Sequence, residues 1–155
     1  MGDLSDHFNW SEASASSTAA ARGIDNTIPP TLFGNVERTA RLMEDIRTLL
    51  GHTPIRVTSW YRSPELNRAI GGSKTSAHMK GLAVDFQTPR MDLKAAFERI
   101  ADSGTLFDQL ILERTRDGAY WIHVGLSYGA PRREVLTAKG GVLGGAMAFR
   151  RVRAG

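Results

Sequence analysis

The clearest periodicity in the chain runs from about Thr31 to Leu50. Leu32, Val36, Ala40, Met43, Ile46 and Leu50 recur at steps of three or four, while Glu37, Arg38, Arg41, Glu44, Asp45 and Arg47 take the other faces. That spacing predicts an amphipathic helix with one buried stripe, stopped at Gly51. The period then changes. Ile55 to Tyr61 alternates and is rich in β-branched and aromatic residues, which predicts a strand. Ser63-Pro64 opens a short helix, with Ser as cap and Pro at the first helical position, and Gly71-Gly72 closes it. Leu82–Phe86 is predicted as a second strand, and Met91 to about Asp102 as a helix with Leu93, Ala96, Phe97 and Ile100 on one side. Phe107–Glu113 and Ala119–Leu126 read as two arms of a hairpin around Asp117-Gly118. One more strand is expected near Ala146–Phe149.

This order predicts an α+β fold, with helices packed on a small, mainly antiparallel sheet. At 155 residues one domain is expected over 1–155. Within it, 1–30 is a Ser/Ala/Thr-rich arm that wraps the body, with a short helical turn at Ser11–Ala15. Residues 31–127 form the body, and 128–155 a basic, Gly-rich segment.

Charge and composition narrow the function. The formal charge is +4, but the tail from Pro131 onward carries six Lys/Arg against Glu134, so the rest is close to neutral. With a near-neutral body and no recognition motif, nucleic-acid binding is not expected. The basic tail is a candidate contact for anionic outer-envelope lipid, and equally reads as solvated charge. No stretch approaches the roughly 18 apolar residues of a membrane span. The N-terminus has neither a basic start nor an apolar run, so synthesis in the cytoplasm without a signal peptide is expected. There is no cysteine, so any metal site must use His, Asp or Glu.

The chemistry concentrates around Ser76–Asp85. His78 stands seven positions before Asp85, with Gly81 between, and His123 lies in the later apolar strand. Two imidazoles and one carboxylate suffice to hold a zinc ion with one coordination position open. Alternatives stand beside this. A lone strand histidine is more often a packed core residue, and Asp85 among Ala, Val and Phe would equally be satisfied by an arginine. His7 and His52 fall in the bland class. A hydrolytic site would also need a base and a cation. Glu113 is the first candidate base and Asp117 the second. A two-residue turn at Asp117-Gly118 would set Glu113 opposite Ile122, on the far side from His123, so a longer loop or a bulge is expected. Arg62 suits a substrate carboxylate or a developing oxyanion, because its planar fork binds bidentately.

Ser76-x-His78-x-x-Gly81-x-Ala83-x-Asp85 resembles the signature of the zinc D-Ala-D-Ala carboxypeptidase family, which includes relatives of the hedgehog signalling domain and phage endolysins that cut peptidoglycan stem peptides. Ser59-Trp60-Tyr61-Arg62-Ser63-Pro64 with Asn67 and Gly71-Gly72-Ser73 resembles that family's arginine-bearing segment. Phe107–Glu113 with Trp121-Ile122-His123-Val124 resembles its C-terminal hairpin. The resemblance implies Zn2+ on His78, Asp85 and His123, with Arg62, Ser76 and Tyr61 at the substrate. Many members carry an acid three positions before the last His and some a His two before it; here these are Tyr120 and Trp121. The single-domain phage-type members that share Phe-Asp-Gln-Leu-Ile-x-Glu point to Glu113 as base. The implied function is hydrolysis of peptidoglycan stem peptides at the bacterial cell wall, by a monomeric phage lysis enzyme released by a separate membrane-permeabilising protein. The alternative is a non-enzymatic, zinc-containing wall-binding or virion assembly module.

Overall fold

The computed structural model describes residues 2–139 and the backbone of 148–151. Helices and a mostly antiparallel sheet make an α+β fold, as the patterning predicts. In chain order the elements are α1 (Trp10–Ser14), α2 (Ser17–Arg22), α3 (Phe33–Leu49), β1 (Arg56–Ser59), α4 (Pro64–Ala69), β2 (Ala83–Gln87), α5 (Leu93–Ala101), β3 (Gln109–Arg114), β4 (Tyr120–Gly125), β5 (Glu134–Lys139) and β6 (Ala148–Arg151). The sheet order is β1-β2-β4-β3-β5-β6. All neighbours are antiparallel except β3 and β5, which run parallel. Of the predicted Ala146–Phe149 strand, Ala148 and Phe149 fall in β6, and residues 146 and 147 lie outside the described residues.

Alternation along the strands sorts the two faces of the sheet. Val84 and Phe86 of β2, Ile122 and Val124 of β4, Leu110 and Leu112 of β3 and Val135 of β5 share the core with Val36, Met43 and Ile46 of α3 and Phe97 and Ile100 of α5. The opposite face presents Asp85, His123, Ile111 and Glu113, placed there by the register of β2, β4 and β3. The helical layer thus stabilises the sheet from one side and leaves the other for chemistry.

Caps set the local boundaries. Ser63 accepts from Leu66 N at the start of α4, and Asp92 accepts from Ala95 N at the start of α5. The arm is more structured than its composition suggests. α2 has Ser16 as its cap and Gly23 in the left-handed region after its end. Phe8, Ala13 and Ile28 are buried in the core, and Phe8 meets Trp60 edge-on at 6.1 Å. Two arginines counted with the basic tail are spent internally. Arg132 forms a fork on Asp108 at 2.9 and 3.0 Å, and Arg133 donates to the carbonyls of Thr105 and Ser103. The side chains of Lys139, Arg150, Arg151 and Arg153 lie outside the described residues. Among the described residues no helix is long and apolar enough to cross a membrane.

Phe86 is fully buried and follows Asp85 directly. Phe86→Ala should cost about 3–5 kcal/mol, as for other core Phe truncations, read from urea unfolding. A loss under about 1 kcal/mol would mean that this face is not the core.

Candidate metal centre

Three elements deliver the donors. Ser76 caps a 3-10 turn over Ala77–Lys80, its hydroxyl accepting from His78 N at 3.3 Å. Gly81 ends the turn with φ 70°, and a Cβ there would lie 2.7 Å from Val36 Cγ2. Only glycine meets both demands, the left-handed backbone and the close pass over α3. The chain then enters β2, where Asp85 sits directly opposite His123 of β4. On its other side β2 pairs with β1 through an irregularity between Val57 and Ser59, which brings Ser59 opposite Asp85.

Asp85 Oδ1 lies 2.9 Å from His123 Nδ1 and 3.2 Å from His78 Nε2. One donor atom from each of the three residues falls within 4.8 Å of the others. A cation bound tetrahedrally at 2.0–2.2 Å holds its donors roughly 3.3–3.6 Å apart, so the cluster is close to that arrangement before any ion is added. The proton inventory points the same way. His78 Nδ1 lies 2.6 Å from the carbonyl of Trp60, which can only accept, so this nitrogen carries the hydrogen. Burial pushes the His78 imidazole below its ordinary value despite the nearby Asp85 charge, so it is neutral. Its Nε2 lone pair therefore faces a carboxylate oxygen with no proton between them. A cation resolves that conflict, and the residues present fit zinc.

Asp85 itself is dominated by opposing effects. Burial favours its neutral form, but the hydrogen bond and charge of His123 hold its carboxyl far below the usual carboxylate range. For His123, burial disfavours charge, while the hydrogen bond and charge of Asp85 outweigh it and raise the imidazole.

Arg62 approaches from the other side. Its Nη2 is 3.7 Å from Asp85 Oδ2, and its Nη1 donates to Asn67 Oδ1 at 3.2 Å. The two readings of Asp85 therefore coexist, with one oxygen turned to the imidazoles and the other toward the arginine. Asn67 also donates to the Ser73 carbonyl at 2.9 Å. A Cβ on Gly72 would stand 2.1 Å from Asn67 Oδ1 and 3.0 Å from Arg62 Nη1. The glycine pair after α4 thus makes room for the amide that aims the guanidinium. Asn67 was legible only as part of the arginine-bearing segment, and nothing in sequence foretold the role of the Trp60 carbonyl.

The hairpin register decides where Glu113 lies. Thr115 N donates to Ala119 O, so the loop is longer than a two-residue turn. Glu113 then pairs with Trp121, and Ile111 with His123. Glu113 shares the face of His123, as the longer loop requires. It is buried, and that burial together with the Asp85 charge pushes its carboxyl up to about 7, against the opposing influence of His123 and Arg62. Asp117 is exposed in the loop and hydrogen-bonded to Thr115. Tyr120 falls on the helix-covered face and packs against the core, so its position offers no route to the cluster in this register.

Glu113, His123 and Ser76 line a cleft of about 540 Å³ together with Asp108, Lys80 and Tyr128. Tyr61 and Arg62 line a smaller cavity of about 170 Å³ with Ser16, Thr18 and Leu66. Tyr61 is itself 3% exposed and belongs to the core. His123 lines the larger cavity and Arg62 the smaller, so these two partners of Asp85 belong to different cavities.

Purified metal-free protein should take up one equivalent of zinc, with His78→Ala and His123→Ala abolishing it in calorimetry. At 100 times its Kd the ion should add about 2.7 kcal/mol to the unfolding free energy. Without metal, the Glu113 carboxyl should titrate near 7 by carbon NMR. Zinc should lower that midpoint, because a nearby cation favours the carboxylate. An ordinary glutamate midpoint in the metal-free protein would contradict the buried setting described above.

No curated protein matches the chain. Residues 6–125 match the family described as Peptidase M15, over arm, arginine segment, signature and hairpin alike. The chain belongs to this peptidase family, the zinc-dependent, D-Ala-D-Ala carboxypeptidase-like metallopeptidases.

Proposed function

We propose that the protein is a zinc peptidase that hydrolyses peptidoglycan stem peptides, as a D-Ala-D-Ala carboxypeptidase or an endopeptidase, and serves as a phage lysis enzyme at the bacterial wall. The observation that carries this reading is the convergence of His78 Nε2, His123 Nδ1 and Asp85 Oδ1 beside Glu113 on one sheet face. Zinc held there supplies a Lewis acid that polarises an amide carbonyl and lowers the pKa of water. Glu113 accepts the proton of the attacking water and returns it to the leaving amine. Its burial favours that exchange, since desolvation holds the carboxyl up against the lowering pull of a nearby cation. Arg62 meets the substrate's carboxylate or the developing oxyanion, held at that angle by Asn67. Ser76 completes the substrate contacts from the wall of the larger cleft, whereas Tyr61 supports Arg62 from the core. The phage assignment rests on the Phe107–Glu113 segment shared with single-domain phage-type members. A site built within one chain supports action as a monomer.

Mass analysis of fragments released from purified sacculi tests this reading and identifies the bond cut. Glu113→Ala should retain zinc yet lose roughly 10²–10⁴-fold in kcat. Full activity in that variant would remove Glu113 from the role. Gly72→Ala should also retain zinc and act through Arg62, raising KM for the peptide. If the variant leaves KM unchanged, Asn67 does not aim the guanidinium.

A further inference from the structure

The cleft has a rim that proton transfer and carboxylate binding leave unused. Tyr128 exposes 66% of its surface there, yet it is anchored. Its hydroxyl accepts from Asn35 Nδ2 at 2.8 Å, and the same amide donates to the Lys80 carbonyl at 2.9 Å. One residue earlier, the Ser127 carbonyl accepts from Arg38 at 2.8 Å. Asn35 and Arg38 lie on one side of α3, three residues apart, so the helix fixes both the loop and the tip of the ring. Lys80 Nζ lies over one face of the ring, 5.3 Å from its centroid. Ser73, Thr75, Ser76 and Ser127 add hydroxyls to the lining of the same cleft.

An aromatic ring kept in water forgoes the stabilisation that burial would bring. With its hydroxyl oxygen held by Asn35, and Lys80 over one face, the ring offers its other face to a ligand. A flat apolar surface bordered by an ammonium and several hydroxyls has the chemistry to hold a pyranose. The C–H face of the sugar lies on the ring, and its hydroxyl, amide or carboxylate groups reach the polar border. An alanine methyl of a stem peptide would cover little of such a surface. We infer that Tyr128 and Lys80 form a saccharide subsite at the cleft rim, binding the amino-sugar strand to which the stem peptide is attached. This rests on the peptidase reading for the identity of the substrate, and it makes Tyr128 a specificity-determining residue.

The test compares two substrates on zinc-loaded full-length protein: a disaccharide-linked pentapeptide and the same pentapeptide without sugar. The wild type should favour the linked form in kcat/KM. Tyr128→Ala should reduce that preference roughly tenfold, mainly through KM, a change of about 1.4 kcal/mol. Tyr128→Phe, which keeps the ring and loses only the Asn35 bond, should keep at least half of the preference. No preference in the wild type, or one unchanged by Tyr128→Ala, overturns the subsite. If the wild type cleaves neither substrate, the peptidase reading fails and binding alone decides the subsite. Saturable NMR shifts of Tyr128 on addition of the peptide-free disaccharide, abolished in Tyr128→Ala, would support it, and their absence would overturn it. Unchanged circular dichroism and zinc content confirm that each variant is folded.

Discussion

Asp85 is the charge around which the structure is balanced. A carboxylate enclosed by protein costs several kcal/mol unless positive charge or hydrogen bonds compensate it. Its two oxygens divide their partners, Oδ1 to the imidazoles and Oδ2 to Arg62. The His78 proton is committed to Trp60 and the arginine stands at 3.7 Å, which leaves His123 at 2.9 Å as the nearest compensating group. A divalent cation completes the set. Metal affinity and conformational stability are thus two aspects of one electrostatic requirement.

The sheet makes this possible by giving its two faces different tasks. Apolar residues on one side pack beneath the long helix and α5, while the same strands carry ionisable residues on the other. A one-residue slip of β4 would exchange the faces and bury His123 in the apolar layer. The core contacts of Ile122 and Val124 therefore hold His123 in place from behind. Glu113 depends on the same logic, since the register of β3 against β4 determines whether it shares the cleft or the core.

Much of this was legible in the chain itself. The stripe of α3, the caps of α4 and the alternation in β2 and β4 are strong local signals, and the structure follows them. His78, Asp85 and His123 were legible as a set because the motif puts two of them seven apart and the third inside an apolar strand. Other features were hidden for physical reasons. The Asp117-Gly118 pair suggests a tight turn, but Thr115 and Ala119 close a longer one. Glu134–Lys139 mixes charged and apolar residues after two arginines, and its parallel pairing with β3 is a long-range contact with no local signature. The helix Ser17–Arg22 is short and lies within a low-contrast stretch, though Ser16 and Gly23 mark its ends. Polar residues that act by bridging backbone, such as Asn67, leave no periodic trace.

Asn26 shows how far such bridging reaches. Its amide donates to the carbonyls of Ser14 and Tyr61, and its oxygen accepts from Ser63 N at 2.7 Å. Tyr61 N in turn donates to Ala13 O at 2.9 Å. The opening thirty residues therefore clasp both sides of Arg62 and, through Trp60, the ring of His78. A minimal fragment cut to begin at the long helix would carry His78, Asp85, Glu113 and His123, but would have lost the brace that gives them their aim.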